Sequence, residues 1–203
     1  IIITMKTKII SIALLSILLA GVFTGCEKDD PEPKKNIVKI GAQDNTSIGG
    51  FYSFSAKKVF TIQDASKAEN QSKIDIYCFY EEGVNDIAVA CPNLNVRNIF
   101  SDYDSNDPVN TFDPLDPQCW EIRNRTTFIM VENITPEQFD AIEDGDSSIE
   151  GYYTETNTRR ARYLQPGDVY AFKTQDETYG IFIVKEVEQG ATGYVEFEYK
   201  TKK

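Results

Sequence analysis

The chain has 203 residues, with 32 acidic against 21 basic side chains, no histidine and a net charge of −11. That balance excludes nucleic-acid binding by phosphate neutralisation, which needs lysine and arginine, and anionic lipid repels such a surface. Without histidine, Ser-His-Asp and Cys-His catalysis are excluded as well. A carboxylate pair of the glycosidase kind remains open, although among so many acids no pair stands out by spacing.

The N-terminal segment is apolar. Met5 is the expected initiator, with Ile1 to Thr4 upstream of it, and Met5-Lys6-Thr7-Lys8 is a short basic start. From Ile9 to Phe23 only Ser11 and Ser16 are polar. A basic start, a short apolar run and small residues before a cut predict a signal peptide over residues 1–25. The run is short for a membrane-spanning helix, which needs about 20 apolar residues. Phe23-Thr24-Gly25-Cys26 resembles the lipobox of bacterial lipoproteins, with Phe23 where leucine is usual. The resemblance implies that Cys26 becomes the N-terminus and carries acyl chains, each buried methylene adding about 0.8 kcal/mol of anchoring. Glu27-Lys28-Asp29-Asp30 resembles the acidic export signal of Bacteroidetes surface lipoproteins. That implies the outer face of the outer membrane, with the bilayer as partner through the acyl chains alone. Residues 26–36 then read as lipidated cysteine and charged, proline-bearing tether, whose last ten residues reach at most about 33 Å.

Residues 37–203 are expected to form a single β-rich domain, and the chain from Cys26 onward has 19 basic and 32 acidic residues, a net −13. Ile37–Gly41 is a first strand. Residues 50–62 read as two short strands around Ser55-Ala56-Lys57, and a helix over 62–71 starts at Thr61 as N-cap. In "KIDIYCFYEE" the alternation places Ile74, Ile76, Cys78 and Tyr80 on one face and Asp75, Tyr77 and Phe79 on the other. "DIAVACP" is a further strand. Residues 93–118 read as loop, and "CWEIRNRTTFIMVE" returns to strand. "TPEQFDAIEDGD" carries Thr135 as N-cap, Pro136 at the first position and Gln138 to close a capping box, with Phe139 and Ile142 on one buried face. The last 34 residues before Thr201 read as a three-strand meander with turns at 175–177 and 189–193. There Val195, Phe197 and Tyr199 alternate with Glu196, Glu198 and Lys200, as in a sheet with one wet face. The fold class is α+β, mostly β: antiparallel sheets or a partial barrel, two short helices and the C-terminal meander. The second-half pattern again resembles Bacteroidetes surface lipoprotein domains, which implies an address and no chemistry.

Three constellations are candidates for chemistry. Asp102, Asp104, Asn106 and Asp113 imitate the ligand order of a calcium loop, with Asp107 where the turn glycine belongs and no flanking helices; otherwise they are a solvated loop. Calcium is the one cofactor the chain suggests. Cys91 and Cys119 bracket that loop and are placed to close it with a disulfide, which an envelope location permits, while Cys78 reads as a small core residue. Trp120, Tyr152 and Tyr153, with Tyr103 and Tyr163, lie in or near loops, where aromatic faces stack on sugar rings; the competing reading is core packing. The expected function is that of a surface-exposed outer-membrane lipoprotein without catalytic activity, binding a glycan as an accessory of nutrient uptake. A structural or adhesin-like subunit, pairing through edge strands of the meander, is the alternative, and a carboxylate-dependent glycan hydrolase is a third.

Overall fold

Alternation of apolar and polar side chains builds the first strand, β1 (Asn36–Gly41): Val38 and Ile40 are buried, while Ile37 is exposed. A computed structural model describes residues 35–96, 99–101 and 112–203. The apolar leader, Cys26 and the tether up to Lys34 lie outside the described residues, as do Asp102, Tyr103, Asp104 and Asn106. Among the described residues no helix is long and apolar enough to cross a membrane.

After β1 come β2 (Phe51–Ser53) and β3 (Lys58–Phe60), a hairpin whose turn holds Lys57 at φ 49°. The expected helix over 62–71 is two helices, α1 (Ile62–Ala65) and α2 (Ala68–Gln71). Thr61 caps the first, its hydroxyl accepting from Asp64 N at 3.2 Å. The break has a local cause. Ser66 Oγ donates to Gln63 O, Asn70 Nδ2 to Asp64 O and Gln71 Nε2 to Ser66 O, so side chains take carbonyls that an unbroken helix would use.

β4 (Ile76–Glu81) and β5 (Asp86–Ala90) form a second hairpin, with Asn85 left-handed at φ 51°. Both faces of β4 are buried. Ile76 and Cys78 face one core; Tyr77 and Phe79 face another, and Ile74 joins them there. Sequence alternation put Ile74 with Ile76, but strand pairing starts only at Ile76. The long strand expected over 119–132 shortens to β6 (Thr127–Met130). Upstream, Asn124 Nδ2 bridges Ser72 O and Ile74 O, and Ile122 N donates to Gln71 Oε1, which ties the chain to the α2 end.

α3 (Pro136–Asp140) has the expected capping box: Gln138 N donates to Thr135 Oγ1 at 3.3 Å and Thr135 N to Gln138 Oε1 at 2.8 Å. Phe139 and Ile142 bury together. A 3-10 stretch over Ser147–Tyr152 and the short β7 (Arg160–Ala161) lead to β8 (Val169–Lys173), β9 (Tyr179–Glu188) and β10 (Tyr194–Thr201), the expected meander.

Among the described residues ten strands form two five-stranded sheets, in the orders β1-β10-β9-β8-β6 and β3-β2-β4-β5-β7, and every pairing of strands within them is antiparallel. The main core lies between the sheets and draws on Val38, Tyr52, Ile76, Phe172, Phe182 and Phe197. Phe54 and Phe172 stack across it with centroids 4.3 Å apart. Backbone bonds stitch both corners: Gly41 N to Gly49 O at 3.1 Å, and Phe128 N to Thr158 O at 2.8 Å. The result is a sandwich with a barrel's stitched corners. The outer faces carry smaller cores, one under Trp120, Leu94 and Phe100, the other under α3.

Two sequence expectations are corrected by this topology. The meander has no free edge, since β1 and β6 flank it; strand addition there is closed off. Nor is the polar face of β10 wet beyond Glu196, which is partly exposed. Glu198 is 1% and Lys200 7% exposed, because α3 covers that face. Lys200 Nζ donates to Phe139 O and Asp140 O, at the negative C-terminal end of α3. Lys35 and Lys185 both pair with Glu198, at 3.3 and 3.2 Å, and Lys35 also reaches Asp140 at 3.1 Å. Lys35 and Asn36, expected in the tether, therefore belong to the domain.

Candidate functional site

Strand register assembles a polar row on the sheet of the meander. Thr127 of β6 lies opposite Lys173 of β8, and Lys173 lies opposite Tyr179 of β9. Phe172 next to Lys173 points into the core, so alternation alone turns Lys173 outward. The extended segment after the 3-10 stretch, residues 153–157, runs beside this row. Tyr153 anchors it, its hydroxyl 2.6 Å from Thr127 Oγ1 and its ring edge-on to Tyr179 with centroids 5.6 Å apart. Between segment and row lies an open cleft of about 410 Å³, lined at its rim by Arg125, Asn157 and Gln175.

Charge in the cleft is balanced. Lys173 Nζ lies 3.0 Å from Glu155 Oε1 and 3.9 Å from Glu177 Oε1, and stands 5.2 Å from the Tyr179 ring centroid. The hydrogen bond to Glu155 raises the Lys173 pKa above its usual value, and Tyr179 reinforces the shift. Among the described residues no carboxylate pairs with Arg125; its Nη2 donates to Asn157 Oδ1 at 2.6 Å and its backbone N–H to Gln175 Oε1 at 3.2 Å. The cleft therefore offers one aromatic ring, that of Tyr153, with cations, carboxylates, amides and hydroxyls to a partner.

Glu155 and Glu177 share one ammonium, so those two oxygens are at most 6.9 Å apart. That bound overlaps the glycosidase range of about 5–9.5 Å. However, a glycosidase acid is a carboxyl kept protonated by an apolar site, and these side chains are 76% and 80% exposed on a shared counter-charge.

The structure separates the aromatics that the sequence grouped. Trp120 is 4% exposed and packs on Phe51, centroids 5.4 Å apart, so it is a core residue and not a platform. Its buried Nε1 finds no acceptor among the described residues. Tyr152 turns away from Tyr153 into a second, shallow and apolar hollow beside α3, formed with Val131, Ile134 and Ile142. Tyr163 is 58% exposed at φ 54°, its backbone N–H held at 2.8 Å by the buried Asp86 carboxylate. Of the expected trio only Tyr153 is in the cleft. Its partners Thr127 and Tyr179, and Lys173 in the row between them, sit on different strands, and no local motif marks them.

Of the calcium candidates only Asp113 is described; Asp102, Asp104 and Asn106 lie outside the described residues. Asp113 Oδ1 accepts from Leu115 N at 2.9 Å, a turn cap. Among the described residues no cluster of three or more His, Cys, Asp or Glu gathers as for a metal. Nearby Asp116 is the buried acid, accepting from Gln118 N at 2.8 Å and from Ser101 Oγ at 2.6 Å. Cys91 and Cys119 are free thiols, so the expected disulfide is not formed, and Cys78 is free as well. Burial raises the pKa of both Cys91 and Cys119. Cys91 lies under the strand end with backbone N–H groups of Thr126 and Asn93 at its sulfur, and Cys119 sits in the 3-10 turn after Asp116.

No family model, curated protein or solved structure matches the chain.

Proposed function

We propose that the protein is a non-catalytic, lipid-anchored surface protein that binds a glycan along the Tyr153 cleft as an accessory of nutrient uptake. The observation that carries this reading is the Tyr153 ring, braced edge-on by Tyr179, in an open cleft rich in hydroxyl, amide and charged groups. Sugar rings present apolar faces to aromatic rings and hydroxyls to such donors and acceptors. An open cleft also suits an interior stretch of a polymer, because the chain can leave at both ends. The address rests on the lipobox and the acidic stretch after Cys26.

Native electrophoresis of the detergent-extracted full chain through gels holding plant, host and microbial polysaccharides tests the binding. Retardation by one polysaccharide, lost in Tyr153→Ala, is the expected result. Free migration through every gel refutes glycan binding. The anchor is tested separately: Cys26→Ala should leave the membrane fraction without detergent, and its retention there refutes lipidation at Cys26.

A further inference from the structure

A third pocket opens where the chain crosses from one sheet to the other, between the end of β1 and the start of β2, beneath α1. It encloses about 350 Å³, at the small end of ligand-site volumes, roughly 300–1,000 Å³. We propose that it is a binding site for a neutral, hydroxyl-rich small molecule of one or two sugar rings, independent of the Tyr153 cleft.

The lining decides the chemistry. In a chain that is 26% charged, none of the described residues that line this pocket carries a charge. A charged ligand would lose its hydration there and meet no counter-charge, which is costly. The inner walls are apolar: Phe51 and Phe100, with centroids 5.7 Å apart, and Ile62. Cys78 also lines the pocket, and burial raises its pKa, which keeps it a protonated, inert wall. At the mouth stand the Thr46 and Ser47 hydroxyls and the Gln63 amide, all on exposed residues and with no partner among the described residues. A ring with an apolar face and a polar rim matches that division.

The walls are pre-formed. Asn45 Nδ2 donates to Thr192 O at 2.7 Å, and its Oδ1 accepts from Ser47 N and Ile48 N at 3.1 and 3.0 Å. Gln43 is used on both sides by the Tyr80 backbone. The chain pinches so closely that a Cβ on Gly50 would sit 2.7 Å from Gly41 O. With Asn45 and Gln43 committed to the backbone, Thr46, Ser47 and Gln63 are the side chains left to a ligand, and a rigid site loses little entropy on binding.

Saturation-transfer NMR on the purified full chain, with methyl glycosides of glucose, galactose, mannose and N-acetylglucosamine, tests the assignment. At least one glycoside should receive saturation, a glucuronide should receive none, and Gln63→Ala and Thr46→Ala should each weaken binding five-fold or more. Both positions are exposed, and unchanged thermal melts will show that the variants fold. No transfer to any of the four overturns the proposal, as does equal transfer in both pocket variants. Equal transfer to the glucuronide overturns the neutral ligand class. Tyr153→Ala tells the two sites apart: a transfer that it abolishes belongs to the cleft, which sinks the pocket assignment and leaves the glycan-binding reading standing.

Discussion

The hydroxyls of Tyr52 and Tyr199 meet at 2.9 Å between the two sheets, where both residues are almost fully buried. They join β2 to β10 across the main core, and burial raises the pKa of each phenol. Each hydroxyl supplies the other's partner. Removing one leaves the other buried and unpaired, at about 1–3 kcal/mol, whereas removing both leaves an apolar contact. Tyr52→Phe and Tyr199→Phe should each lower stability by that order, and the double variant should cost less than their sum. A double-mutant cycle by urea denaturation measures it; strict additivity would contradict the pairing.

Gly180 lies opposite Phe172 in the β8–β9 register. A Cβ there would stand 2.1 Å from the Phe172 ring. The ring has no room to retreat, since it is fully buried and stacked on Phe54. Gly180→Ala should therefore destabilise the fold by about 1–3 kcal/mol through overpacking, and a melt unchanged within 1 °C would refute it.

Asp75 gives the fold a pH dependence. Its carboxylate accepts from Phe54 N at 2.7 Å, but burial pushes its pKa up to about 7, and the nearby Asp176 charge adds to the rise. The unfolded carboxyl titrates near 3.9. Between those values the folded state holds a proton that the unfolded state has lost, so this group's contribution falls as pH rises from about 4 to about 7 and is flat above. At about 1.4 kcal/mol per pH unit, the change amounts to a few kcal/mol. Asp75→Asn should flatten the stability profile between pH 5 and 7 and stabilise the protein at pH 8. An identical slope in wild type and variant would contradict the assignment.

In the cleft, Tyr153→Phe keeps the ring beside Tyr179 and loses the bond to Thr127; Tyr153→Ala loses both. If stacking dominates, polysaccharide retardation should survive the first change and vanish in the second. Lys173→Met should alter stability by less than about 1 kcal/mol, as its carboxylate partners are exposed. A loss of several kcal/mol would show that the cleft is a structural keystone.

Thiol chemistry follows burial. Under native conditions an alkylating reagent should reach Cys119 before Cys91 and Cys78, which are buried. In denaturant without reductant, all three should alkylate. Protection of the Cys91 and Cys119 pair that only a reductant removes would restore the disulfide.

Local sequence determined much of this protein. The capping residues Thr61 and Thr135 mark the α1 and α3 starts, Gln138 closes its box, and alternation in Val195, Phe197 and Tyr199 places the inner face of β10. These are short-range effects, in which a side chain meets a backbone group three residues away or a neighbour two residues along. The mostly β class follows from them. Only the tertiary structure decided where the meander sits, because sheet order depends on which distant strands find its edges: β1 and β6 close them. The same holds for Glu198 and Lys200, which look solvated until α3 packs over them. Ring size alone did not tell Trp120 in a core from Tyr153 in a cleft, since burial depends on what covers each. The cleft joins Thr127, Tyr153, Glu155 and Lys173, and the uncharged pocket joins Thr46 and Gln63 to Phe100. Residues so far apart along the chain become neighbours only through strand register and chain crossing.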